Sequence, residues 1–175
     1  NWGSVDLALM KAGLDLGYGW CEDHNAPWGT GVSPYAINSQ NANRVSTNDA
    51  YLEPARSRSN LTIEGNAIVD TLTFEGNRHH VNGVRVSLRG EVKNLRANRE
   101  VLLCAGAIHS PTILQRSGFG PSSLLQALNI PVIKELPIGK NLLDHPILRI
   151  VLDLKRECQV STRMHRHTNC CVRYS

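Results

Sequence analysis

The sequence predicts a mixed α/β fold in which a strand buried on both faces, of the parallel-sheet type, follows an antiparallel β section. Three observations carry this reading. Between Asn60 and Ala105, apolar residues alternate along 61–63, 68–74 and 81–88, with EGN and RGE as turns, the pattern of an antiparallel meander. At its end VLLCA, residues 101–105, is apolar without alternation, as in a strand covered above and below. Three small residues, Ala105, Gly106 and Ala107, then lead from that strand towards a helical pattern.

The other elements follow in chain order. VDLALMKAGLDLGYG, residues 5–19, spaces its apolar side chains for one short helix that stops at Gly13 or Gly17. Residues 21–48 are rich in Asn, Gly, Ser and Pro and lack periodicity, so they read as a long loop of the kind that often carries function. Ser46 or Thr47 caps a helix through NDAYLEPARSR that Pro54 keeps short or breaks. After the β section, Ser110 is placed to cap free N–H groups and Pro111 to take the first helical position, where its missing donor costs nothing. That helix covers TILQRS and ends at Gly118. A second, PSSLLQALN, opens with Pro121 and yields at Asn129 to the extended IPVIKELP.

At 175 residues, 41% hydrophobic and 19% charged, the chain suffices for one globular domain with a core, or for part of a larger one. No apolar run approaches the roughly 20 residues that span a bilayer, and NWGSVDLALMKAG has no basic region followed by an apolar one, so neither a transmembrane segment nor a secretion signal is expected. The net charge of +4 is local. Lys155, Arg156, Arg163, Arg166 and Arg173 face one acid, Glu157, in 155–175, while the other 14 basic and 14 acidic residues cancel. A neutral body gives no reason to expect a nucleic-acid partner. Cys158, Cys170 and Cys171 also lie in that tail, and Cys104 reads as a buried thiol, so a reducing cytoplasm fits better than a disulfide framework. Composition changes near Lys155. The expected division is a body over 1–154 and a non-matching, disordered basic tail over 155–175; its Cys158, His165, His167, Cys170 and Cys171 do not have zinc-site spacing, and no metal site is expected.

The Ala-Gly-Ala joint admits two readings. A helix N-terminus after a buried strand offers free N–H groups and a positive dipole end to a ligand that meets no side chains, as at a nucleotide site. Packing of a tight turn needs small residues just as much. No G-x-G-x-x-G is complete to decide between them, because Gly17/Gly19, Gly29/Gly31 and Gly118/Gly120 each lack the third glycine.

The stretch GAIHSPTILQRSGFGP, residues 106–121, resembles the second signature of the glucose-methanol-choline (GMC) oxidoreductases, flavoenzymes that oxidise alcohols with FAD. Around it RVSTNDAYLEPARSRSNLTIEGNAIV, FEGNRHHVNGVRV, REVLLCAGAIHSPTILQRSG and LPIGKNLLDHP are similar to successive segments of that family, and the 101–118 stretch is most similar to its choline dehydrogenases. The resemblance implies an FAD-binding domain covering 1–154, incomplete at both ends, with FAD as cofactor and a small alcohol as substrate. It implies that Val69 contacts the adenine through its backbone, that Ala105, Gly106 and Ser110 lie beside the cofactor, and that Asn141, Asp144 and His145 lie towards the flavin. LPIGKNLLDH is one residue shorter than the family pattern, which alters the loop before Asn141. The family's Gly-rich fingerprint and catalytic histidine have no match here, so no catalytic residue is assigned and the chain is expected to be inactive alone. His24, His79, His80 and His109 read as loop or surface residues. The alternative is a non-catalytic binding or structural remnant, or a pseudogene product, and the oligomeric state is left open.

Overall fold

The computed structural model describes residues 2–41, 43–76, 80–159 and 168–174. In chain order its α-helices and strands are α1 (Ser4–Asp15), β1 (Gly31–Pro34), β2 (Ser39–Gln40), β3 (Asn43–Arg44), α2 (Glu53–Ala55), β4 (Ala67–Glu75), β5 (His80–Leu88), β6 (Glu91–Arg96), α3 (Gly106–Arg116), β7 (Phe119–Gly120), α4 (Ser122–Ala127), β8 (Lys134–Glu135) and β9 (Cys170–Arg173), with a π-helical turn at Asn48–Leu52 and a 3-10 turn at Arg156–Cys158. They fall into two units: Asn1–Leu61 with Leu148–Ser175, and Thr62–Ile147.

In the first unit α1 packs on the antiparallel pair β1–β9. Gly17, not Gly13, ends the helix: its φ is 90°, and Gly17 N–H to Leu14 together with Tyr18 N–H to Gly13 close the last turn in the Schellman pattern. Gly13 has another task. A Cβ there would stand 2.6 Å from Val32 Cγ2, so its bareness lets the helix approach β1. Further along, Ser46 caps the helical turn that precedes α2, its hydroxyl accepting from Asp49 N–H while the Asp49 carboxylate accepts from Ser46 N–H and Oγ.

The tail departs from expectation. Within the segment expected to be disordered, Cys170–Arg173 pair with β1 in register Gly31↔Arg173 to Pro34↔Cys170. The cause is non-local. Asp6, in the first turn of α1 and 9% exposed, accepts from Asn169 N at 2.9 Å, Asn169 Nδ2 at 2.9 Å and Cys170 N at 3.3 Å. Cys170 and Asn169 are buried with Val32 and Ser33, which a local reading of a basic segment cannot reveal. His165 and His167 lie outside the described residues, as does His79.

The second unit holds the meander as the sequence predicts. β4, β5 and β6 form one antiparallel sheet in that order. Arg89 (φ 51°) and Gly90 (φ 90°) make the two-residue β5–β6 connection with both φ positive, the I′ geometry that matches strand twist. Val69 pairs with Val86 and Thr71 with Arg85, leaving Asp70 as an extra residue on β4. α3 packs against β4, and β7 and β8 form a parallel pair that encloses α4, so the fold is mixed α/β. Leu72, Val86, Ile113 and Leu125 are its buried apolar side chains.

Two expectations are corrected here. Residues 101–104 belong to no ladder, and Leu102 is 76% exposed, because no described strand pairs with them; Cys104 is accordingly exposed. An apolar run specifies burial only where a neighbour exists to supply it. The helix begins at Gly106 and not at Ser110, with Pro111 inside it. Ser110 Oγ instead accepts from Ala105 N–H at 2.9 Å, fastening the joint from within the first turn. Among the described residues no helix is long and apolar enough to cross a membrane.

The Asp6 carboxyl sits below its ordinary pKa: burial pushes it up, but the N–H groups of Asn169, Cys170 and Gly3 outweigh burial. A lowered folded value means that its stabilisation is complete above the ordinary carboxylate range near about pH 4 and is lost as pH falls through the folded value. All three tryptophans, Trp2, Trp20 and Trp28, lie in this unit and report it. Tryptophan fluorescence during urea unfolding should show Asp6→Asn destabilising the unit by about 1.5–3 kcal/mol at pH 7, with a smaller difference below pH 4.

Candidate functional site

A cavity of about 1020 Å³ opens in the second unit. One wall is β4 and β5, through Ile68, Val69, Asp70, Arg85 and Val86; the other is the 102–105 segment with His109, Ile113 and Arg116 of α3. Ile68, Val92, Leu102 and Leu103 give it apolar faces, and Arg85, Arg116 and Asp70 a charged side. Asp70 sits between two arginines, 3.3 Å from Arg116 Nε and 3.7 Å from Arg85 Nη1. All three side chains are about half exposed, so these pairs hold position more than they stabilise, at roughly 0–1 kcal/mol each.

The joint at the head of α3 settles part of the question raised by its small residues. Gly106 has φ 84°, a left-handed conformation, and an added Cβ would meet nothing within 4 Å. Glycine is required there by the backbone and not by neighbouring side chains. No side chain caps the first N–H groups of α3. Gly118, at the other end, is the opposite case: φ is 91° and a Cβ would lie 2.6 Å from the Pro131 carbonyl oxygen.

Of the residues singled out in the sequence, Val69 and Ala105 line the large cavity and Gly106 follows at its joint. Asn141 does not join them. It lines a smaller cavity of about 350 Å³ with Thr112, Gln115, Gly139 and Lys140. Gln115 Nε2 donates to Ile138 O at 3.0 Å, and Lys140 N–H closes on Pro137 O with Gly139 at φ 83°, so the loop before Asn141 forms a tight turn braced by the helix. Asp144 and His145 are exposed in a segment without regular secondary structure, where Asp144 accepts the His145 N–H. Sequence reading missed Arg85, Asp70 and Arg116. A bulge that adds Asp70 to one strand leaves no trace in a period-two pattern.

A family model described as GMC oxidoreductase matches residues 4–147. The chain belongs to the GMC oxidoreductase family. An oxygen-dependent choline dehydrogenase of Chromohalobacter salexigens is 44% identical over 151 residues, 85% of this chain and 27% of that one. Two solved structures of similar fold are pyridoxine 4-oxidase from Mesorbium loti (TM-score 0.68, 36% identity, 76% of this chain and 26% of that one) and an FAD-dependent oxidoreductase from Chaetomium thermophilum (TM-score 0.61, 32% identity, 73% and 22%). The chain thus spans about a quarter of the length of the GMC relatives it matches.

Substitution separates the two glycines. Gly106→Ala should cost about 1–2 kcal/mol, the strain of a left-handed L-residue alone. Gly118→Ala should cost more, since strain is joined by overlap with Pro131. Thermal melting of both variants against the parent checks the order.

Proposed function

We propose that the second unit holds part of the FAD of an oxidoreductase acting on the CH–OH group of an alcohol, choline or a related primary alcohol. The observation that carries the reading is convergence: Val69 of β4 and Ala105 before α3, far apart in sequence, form opposite walls of one cavity that leads to an uncapped helix N-terminus. The residues fit the group. The volume stands at the upper end of the usual ~300–1,000 Å³ of ligand sites, the apolar faces suit a planar ring, and the bare Gly106 leaves room for a diphosphate at free N–H groups. In this reading the Val69 backbone meets the adenine, Ala105 and Gly106 lie along the diphosphate, and Ser110 keeps the joint in shape through Ala105 N–H. On their motif, Asn141, Asp144 and His145 belong to the flavin side.

When bound, FAD supplies a two-electron acceptor for hydrogen removed from the alcohol carbon. Acid-base chemistry is a separate requirement. Among the described residues His109 is the histidine that lines the large cavity, and its ring has no hydrogen-bonded partner to orient it as a base. Holding the cofactor is therefore the task assigned to these residues. The free thiols of Cys21, Cys104, Cys158, Cys170 and Cys171 agree with a reducing cytoplasm.

Titration of the 175-residue chain with FAD, followed by flavin fluorescence, tests this reading. Gly106→Leu should weaken binding about tenfold or more relative to Gly106→Ala. Equal FAD affinity in folded Gly106→Leu and Gly106→Ala would contradict the placement. With choline, added FAD and dichlorophenolindophenol, the chain should reduce no dye above the buffer control.

A further inference from the structure

We infer that Arg116 is a positioning residue for the adenine end of that cavity, acting through the backbone of β4; the inference rests on the cofactor reading given above. β4 is an edge strand of the described sheet, and its bulge turns carbonyls out of the ladder. Those carbonyls need donors. Arg116, the last residue of α3, supplies them: Nε donates to Asp70 O at 2.9 Å and Nη2 to Val69 O at 3.3 Å, while Nε also lies 3.3 Å from Asp70 Oδ1. One planar guanidinium thus fixes two consecutive peptide groups and the carboxylate between them, which an ammonium does less well. Next to it Ser117 Oγ accepts the Leu72 N–H at 2.9 Å.

Position decides what this arrangement is for. Arg116 is partly exposed and itself lines the cavity, so its removal buries no unpaired charge and opens no core space. What it changes is the direction of the Val69 peptide, the part of the wall assigned to the base. With the arginine in place the Val69 carbonyl is already engaged, and the strand offers a set pattern of donors and acceptors to a purine edge. Without it that carbonyl turns freely between water and ligand. Loss of Arg116 therefore acts on recognition of the base, whereas loss of the buried Ser117 hydroxyl acts on the fold.

The test measures ADP and GDP binding by calorimetry on the full 175-residue chain, its Arg116→Ala, Arg116→Lys and Ser117→Ala variants, with melting temperatures alongside. The expected result is preference for ADP over GDP in the parent, an ADP affinity about tenfold lower in Arg116→Ala with little change for GDP or in melting, and partial recovery in Arg116→Lys. Ser117→Ala should lower the melting temperature. ADP binding that Arg116→Ala leaves intact overturns the inference and spares the cofactor reading, and so does a loss of both nucleotides in step with melting. A parent chain that binds no ADP, or binds ADP and GDP alike, overturns the adenine reading and the inference with it.

Discussion

One buried hydroxyl ties helix to sheet in the second unit: Ser117 Oγ accepts the Leu72 N–H at 2.9 Å and donates to the Ile113 carbonyl at 2.6 Å. Leu72 lies on the edge strand β4, so this contact satisfies a backbone donor that no described strand takes up. The helix end stands in for a further strand. Once α3 is fixed at this point, Arg116 reaches the bulge, Ile113 turns into the wall of the cavity beside Val86, and Gly106 is held at the far end of the same helix. The distance between the bulged strand and the open joint follows from where Ser117 sits. The cavity is a consequence of the helix covering the edge.

The elements that sequence reading recovered are those with local causes. The meander has its alternation and its Arg89-Gly90 turn, α4 its Pro121 start, α1 its Gly17 stop. The misreadings are non-local. Residues 101–104 have the composition of a covered strand, but covering is a property of neighbours, and among the described residues they have none in a ladder. Pro111 marked a plausible helix start, yet the left-handed Gly106 and the Ser110–Ala105 hydrogen bond begin the helix earlier and leave the proline within it. For the site, Val69 and Ala105 came from family resemblance, and the structure brings them to one cavity; nothing in periodicity pairs them. Asn141 lines a different cavity, and an arginine at a helix end reads as a dipole partner until the strand it touches is known.

The first unit depends on one charge in a similar way. Asp6 collects N–H groups from both its own helix start and residues 169–170, so a segment late in the chain is ordered by an acid near its beginning. Burial alone opposes that carboxylate; its donors reverse the balance. Gly13 then allows α1 close enough to β1 for the arrangement to pack. Here too a polar contact sets the geometry and apolar packing follows.

The account stands on the claim that the space between β4 and the head of α3 receives the cofactor. Backbone amide hydrogen exchange of the chain with and without saturating FAD measures this directly, segment by segment. Slower exchange at residues 67–72 and 102–110 is the predicted result, with α1, β1 and β9 unchanged. Protection elsewhere with these two segments unaffected would contradict it.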